Sequence, residues 1–284
     1  MRRLTRAAPA KINLGLQVTG RRPDGYHELV TVMQTLELAD EVSVEAAPTV
    51  SGRPSLPGLA AEDDLALRAA HLLRRTLGVT SGARVSVEKR IPAAAGLGGG
   101  SSDAAAVLAA LNQLWEAGVD HARLSQIGAD LGSDVPFLVR GGTALATGRG
   151  EHLRDLPPAP MRHVVLVRPD IELATADVYA ELRPSEWSDG HQTIALADAI
   201  TDGCLPADLL GNDLTPPAIR LAPVIGYLLD ELRAAGARPA LMAGSGATCF
   251  GLFADISTAE KAVERGHATG HWTHLTQFRP AADA

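Results

Sequence analysis

The chain has 284 residues, 46% of them hydrophobic and 21% charged, with 26 basic against 33 acidic side chains and a formal charge of −7. At about 150 residues per domain, that length predicts two folded domains with sizeable cores and excludes a disordered or fibrous chain. The acidic balance argues against nucleic acid as a partner, because a phosphate backbone is repelled unless a basic face is segregated.

Two cysteines, Cys204 and Cys249, lie far apart with no Cys-x-x-Cys spacing. Neither a zinc site nor a disulfide framework is expected, and a reducing, cytoplasmic setting fits. The basic start at Met1–Arg6 is interrupted by Lys11 and Asn13 before an apolar run forms, so no secretory signal is read. No apolar run reaches the length of about 18 residues that a membrane span needs. Lysine is scarce, with only Lys11, Lys89 and Lys261.

From the N-terminus, Ile12, Leu14, Leu16 and Val18 alternate, and Val30, Val32, Leu36 and Leu38 resume the pattern after a turn at Arg22-Pro23-Asp24-Gly25. These predict strands, with a third short one at Val42 and Val44. A loop over 48–58 leads to a helix at 63–77 capped by Asp63 or Asp64, then a strand at Val85–Val87. Val107, Leu108, Leu111, Leu114 and Trp115 make the buried stripe of a helix that starts in a glycine run and closes at Gly118. A short helix at 121–131, an extended segment at Val135–Val139 and a strand at Thr143–Ala146 follow.

Leu156-Pro157-Pro158-Ala159-Pro160 predicts a stiff linker, which places the domain boundary there. Beyond it come a strand at Val164–Val167, helices at 174–182, 192–200 and 219–234, strands at 240–242 and 249–253, a helix at 257–267 and a last strand at 272–278. Mixed helices and strands without strict alternation predict α+β layers.

The most informative feature is Gly96-Leu97-Gly98-Gly99-Gly100-Ser101-Ser102, which passes directly into a helix. Glycines let backbone N–H groups approach a ligand closely, and a helix start adds free donors and a positive dipole end, so an anion is the natural occupant. A flexible turn before a well-capped helix would share the composition. A Walker loop would need Gly-Lys-Ser/Thr, the dinucleotide fingerprint would need glycine at Ser101, and no His-Arg-Asp or Asp-Phe-Gly triplet of protein kinases is present. On spacing alone, Asp134 reads as a turn residue between a helix ending at Gly132 and a strand starting at Val135. Lys11 and Asn13 share one face of the first strand. His267, His271 and His274 have metal-like spacing, but Gly266 and Gly270 and the lack of an acidic partner favour a solvated segment.

The run from Pro92 through Ala93, Ala94, Ala95 and the glycines to Ser101-Ser102-Asp103-Ala104-Ala105 resembles the ATP-binding motif of the GHMP kinase superfamily. Ala8-Pro9-Ala10-Lys11-Ile12-Asn13-Leu14 and Gly244-Ser245-Gly246-Ala247-Thr248-Cys249-Phe250 match its other two motifs in order. Arg22-Pro23-Asp24-Gly25-Tyr26-His27-Glu28-Leu29 and Leu131-Gly132-Ser133-Asp134-Val135-Pro136-Phe137 resemble the branch that acts on 4-diphosphocytidyl-2-C-methyl-D-erythritol in non-mevalonate isoprenoid synthesis.

The resemblance implies a two-domain α+β fold. A ribosomal-protein-like α/β domain over 1–156 would carry ATP binding and catalysis, and a ferredoxin-like α+β domain over 161–284 would contribute to a substrate site in the cleft between them. It further implies phosphoryl transfer from ATP, with Mg²⁺ carried on the nucleotide and no protein metal site. Lys11 and Asp134 take the catalytic positions. Pro92, Ala93, Ala94, Ala95, Gly96, Leu97, Gly98, Gly99, Gly100, Ser101 and Ser102 take the nucleotide-binding ones. Asn13, Tyr26, His27, Tyr179, Gly244, Ser245 and Gly246 take the substrate positions, with Tyr26 stacking on the cytosine, His27 bonding its polar edge and Tyr179 as a second wall. Asn212-Asp213-Leu214 reads as structural. The alternative is another small-molecule kinase of the superfamily, acting on homoserine, mevalonate or a sugar, which would not need Tyr26 and His27. A monomer or homodimer without membrane or nucleic-acid partners is expected.

Overall fold

The computed structural model describes residues 2–281. The alternating residues at its N-terminus build two long strands, β1 (Arg3–Arg21) and β2 (His27–Ala47), and the expected third strand at Val42–Val44 is the continuation of β2. They pair antiparallel with register shifts between Pro9 and Lys11, Asn13 and Gly15, and Val18 and Gly20. Each shift resets the side-chain alternation. In addition, β1 is buried on both faces from Ala10 to Val18, so its alternate positions Lys11, Asn13 and Gln17 are buried polar residues.

β2 organises the first sheet. Its C-terminal half pairs with β4 (Gly82–Glu88) and its N-terminal half with β5 (Thr143–Gly148). The two-residue β3 (Ser51–Gly52) extends β4, and β6 (His152–Leu156) extends β5. Four helices cover one face: α1 (Leu65–Leu77), α2 (Gly99–Leu114), α3 (His121–Ala129) and α4 (Val135–Arg140). The carboxylate of Asp64 caps α1 by accepting from the Leu67 N–H at 3.0 Å. The segment 135–139, expected as extended, is helical. Its β-branched valines suit a strand, yet Pro136 stands in the first turn, where its missing N–H costs nothing.

The second sheet is antiparallel in the order β11-β7-β10-β9, built from β7 (His163–Arg168), β9 (Ala240–Met242), β10 (Cys249–Phe253) and β11 (Trp272–Gln277). In chain order this is fourth-first-third-second, the ferredoxin-like arrangement. Between β7 and β9 run α5 (Thr175–Glu181), α6 (His191–Thr201), α7 (Thr215–Leu221) and α8 (Val224–Ala234), and α9 (Ile256–Ala268) joins β10 to β11. The single helix expected over 219–234 is two, broken at Ala222-Pro223, since proline cannot supply the N–H that a continuing helix needs.

Elements of the second half also join the first sheet. The short β8 (Gly211–Asn212) pairs in parallel with β1. Ala10, Ile12 and Leu14 of β1 share a core with Val164, Leu166, Leu196, Phe250 and Phe278. By the strand pleat, Lys11 and Asn13 project from β1 to the opposite side, toward α2 and α4.

Candidate active site

Lys11 is held by backbone and side chain together. Its N–H donates to the Leu97 carbonyl at 2.9 Å, which fixes β1 against the glycine run. Its Nζ lies 3.2 Å from Asp134 Oδ2 and donates to Asn13 Oδ1 at 3.1 Å. Asn13 Nδ2 in turn donates to Thr31 Oγ1 at 2.9 Å, and the Thr31 hydroxyl donates to the Gly15 carbonyl at 2.6 Å. Thr31, which the sequence reading did not single out, therefore aims the amide oxygen of Asn13 at the ammonium. The Lys11 side chain is 6% exposed and that of Asp134 33%, so the ammonium is committed to its partners while the carboxylate keeps an open side. Asp134 stands at the N-cap of α4 without capping it, which leaves its oxygens free for Lys11.

The glycine run forms a loop ending in α2, whose N-cap Gly98 offers no side chain to the first-turn N–H groups. Gly98 has φ +71, and a Cβ there would sit 2.9 Å from Lys11 Cγ. Gly96 has φ +74, and a Cβ there would collide with the Ala243 carbonyl. The glycines thus let the loop pass between Lys11 and the segment Ala243–Gly246, leaving backbone donors at a dipole's positive end. Ala95 and Leu97 are buried in the core, so only their backbone faces this loop. Ser102 is also buried, and its hydroxyl donates to the Pro9 carbonyl at 2.7 Å, tying α2 to β1. Among the two serines, Ser101 is the one lying toward Gly132.

Gly244-Ser245-Gly246 arrives from the second sheet. A Cβ on Gly244 would stand 3.4 Å from Lys11 Nζ. Asn212 Nδ2 donates to the Met242 and Gly244 carbonyls, both at 2.8 Å, and bridges β8 to this loop. The Ser245 and Thr175 hydroxyls meet at 2.8 Å at the start of α5.

The aromatic residues divide into an inner pair and an outer ring. His27 stacks on Tyr179 with centroids 4.9 Å apart and planes 24° from parallel. Burial, and then the charge of Asp134, push the Tyr179 phenol above its ordinary range. Burial, and then Arg21, hold the His27 imidazole below its ordinary 6.5. Tyr26 does not join the stack: it is exposed, with the Arg149 guanidinium over its ring.

Comparison with known proteins now bears on this constellation. The family description "GHMP kinases N terminal domain" matches residues 64–142, and "GHMP kinases C terminal" matches residues 195–271. The chain belongs to the GHMP kinase family. It is 45% identical to the 4-diphosphocytidyl-2-C-methyl-D-erythritol kinase of Pelotomaculum thermopropionicum over 98% of this chain and 99% of that protein. Against the enzyme of the same name from Gloeobacter violaceus it is 45% identical over 89% and 86% of the two chains. A crystal structure of 4-(cytidine 5'-diphospho)-2C-methyl-D-erythritol kinase superposes with a TM-score of 0.85 at 39% identity, covering 97% of this chain and 99% of that one. Homoserine kinase from Cytophaga hutchinsonii, at 18% identity and a TM-score of 0.73 over 99% and 96% of the two chains, shares the fold.

Within this GHMP kinase, one buried cluster beside the glycine loop escaped the sequence reading. Lys89 Nζ donates to Asp40 Oδ2 at 2.5 Å and to Asp103 Oδ2 at 2.7 Å, and Asp40 Oδ1 accepts from the N–H groups of Arg90 and Ile91. Burial pushes the Asp103 carboxyl up to about 7, against the pull of Lys89. The scarcity of lysine was the available signal for Lys89, whereas nothing in the spacing of Asp40, Lys89 and Asp103 announces that they meet. Among the described residues, no group of three or more His, Cys, Asp or Glu side chains is placed to hold a metal ion, and His274 instead stacks on Trp272. No helix among them is long and apolar enough to cross a membrane.

Proposed function

We propose that the chain transfers the γ-phosphoryl group of ATP to the 2-hydroxyl of 4-diphosphocytidyl-2-C-methyl-D-erythritol by direct in-line displacement. The observation that carries this reading is the pairing of buried Lys11 with half-open Asp134 at 3.2 Å, standing where the glycine loop and the Gly244–Gly246 loop converge. The substrate comes from the relatives, which carry that activity in their names over nearly the full chain.

The division of labour follows the two halves. Residues 1–156 supply the nucleotide loop 92–102 and the catalytic pair, while 161–284 supply Tyr179 and the loop Gly244–Gly246. Backbone donors of the loop and the α2 N-terminus hold the phosphates, and Mg²⁺ enters on them as part of the nucleotide substrate. Asp134 accepts the hydroxyl proton as oxygen attacks phosphorus. The Lys11 ammonium offsets charge on the alkoxide and the transferring group. Asn13 hydrogen-bonds the polyol. Tyr26 stacks on the base, the neutral His27 presents one donor and one acceptor to its edge, and Tyr179 backs His27.

Coupled ADP release, measured with this substrate and with homoserine and mevalonate, tests the assignment. Turnover is expected with the cytidine compound alone, and Asp134→Asn is expected to lower kcat by about 10² or more while ATP binding and thermal stability persist. Near-full turnover by the variant, or preference for either of the other alcohols, would overturn it.

A further inference from the structure

Tyr26 occupies an unusual setting for a residue that has to present a flat face. The turn beneath it is firmly built: Arg22 N–H donates to the Tyr26 carbonyl at 2.8 Å, Tyr26 N–H donates to Asp24 Oδ1 at 3.2 Å, and Arg22 Nε bonds both Asp24 oxygens. The residue is 57% exposed. Over its ring stands Arg149, whose Cζ lies 4.9 Å from the ring centroid.

Arg149 is in turn fixed by the connection between β5 and β6. Its N–H donates to Glu151 Oε2 at 2.5 Å, and its Nε lies 3.6 Å from Glu151 Oε1. The same connection runs past the active site, because a Cβ on Gly150 would be 3.9 Å from the Cβ of Ser133, the neighbour of Asp134. A guanidinium anchored to the catalytic loop region on one side therefore covers the face of an exposed aromatic ring on the other. Cation–π attraction of this kind favours a planar guanidinium lying parallel to the ring and restricts the ring to one orientation.

We propose that Arg149 is a positioning residue for the substrate base: it covers one face of Tyr26 and leaves the opposite face to the cytosine, giving a guanidinium–phenol–base stack at the mouth of the cleft. This rests on the reading of the chain as a kinase of a cytidine diphosphate-linked alcohol. Arg149 touches neither ATP nor the reacting atoms. Its loss raises the cost of ordering Tyr26 when substrate binds and leaves the phosphoryl-transfer step intact. Ground-state and transition-state binding are weakened together, so the effect belongs in KM and not in kcat.

The test is a steady-state comparison of wild type, Arg149→Met, Arg149→Lys and Tyr26→Leu, with cytidine 5'-diphosphate as a competitive probe and thermal unfolding as a check on the fold. Arg149→Met is expected to raise KM for the cytidine substrate and Ki for cytidine diphosphate by about 3- to 30-fold, with kcat and KM for ATP within about twofold of wild type. Arg149→Lys, which keeps the cation, restores part of the loss. In the Tyr26→Leu background, Arg149→Met adds nothing further. Unchanged KM in Arg149→Met, an equal rise in KM for ATP, or an undiminished effect of Arg149→Met without Tyr26 would overturn the inference while leaving the kinase assignment standing. Failure of wild type to phosphorylate the cytidine compound would remove the assignment and this inference with it.

Discussion

At the scale of single residues, the site depends on which groups are charged and which are neutral. Lys11 lies in a buried place where a carboxylate and an oriented amide oxygen replace its water. At His27, burial and the nearby Arg21 disfavour the imidazolium and keep the ring neutral at pH 7. A histidine whose folded pKa lies below its unfolded value contributes stability that is present above about 6.5 and lost as pH falls through the lowered pKa. The ring's role toward a base edge follows the same sign. KM for the cytidine substrate is expected to stay flat from about pH 8 down through about 6.5 and to rise only as pH falls through the lowered His27 pKa, and His27→Gln, which has no titration there, should lose that acid limb. Persistence of the limb in His27→Gln would show that another group titrates. The meeting of Lys11, Asn13, Asp134 and the glycine run was legible in sequence because the motifs name these residues. The His27–Tyr179 stack was not, since contact between positions so far apart depends on how the two sheets dock.

At the scale of elements, β1 was legible because Ile12, Leu14, Leu16 and Val18 alternate with Lys11, Asn13 and Gln17, even though burial of both faces hides that alternation in the structure. The run Val135–Val139 is short and apolar, and such a run does not distinguish helix from strand by periodicity. That segment matters because helical geometry puts Asp134 at a helix start facing Lys11. The Lys89 cluster belongs to this scale too, because it clamps the β2 residue Asp40, the chain just after β4 and the first turns of α2 to one another. A Cβ on Gly99 would lie 3.3 Å from Lys89 Nζ, so the ammonium supports the glycine loop from beneath. Lys89→Met would leave two buried carboxylates facing each other with no cation. A loss of about 3–5 kcal/mol is expected in urea unfolding, as for other buried pairs broken on one side. Adding Asp103→Asn should recover part of that loss by removing one of the stranded charges, a coupling read from the double-mutant cycle. If Lys89→Met unfolds at the wild-type midpoint, the clamp contributes nothing.

At the scale of the whole molecule, the chain passes from one sheet to the other across Pro157, Pro158 and Pro160. The sharing of a core between the two halves was not legible in sequence. Ala10, Ile12 and Leu14 from the first sheet pack in one cluster with Val164, Leu166, Phe250 and Phe278 from the second half. Past β11, the chain returns to β2: Phe278 bridges to Leu36, the Arg279 N–H donates to the Thr35 carbonyl at 2.9 Å, and the Arg279 carbonyl accepts from Gln34 Nε2 and Thr35 Oγ1. β8 adds to β1 from the other direction. Apolar surface buried this way is lost to both halves if either opens, so neither half gains by unfolding alone. Calorimetry is therefore expected to show one transition for the full chain. Phe278 is 2% exposed and sits in the shared cluster, so Phe278→Ala should cost about 3–5 kcal/mol. The single Tm should fall by something of the order of 10 °C without splitting. Two resolved peaks in the wild type, or a variant in which one peak moves and another stays, would mean that each half is stabilised by its own core and that the cleft between them is free to open without unfolding.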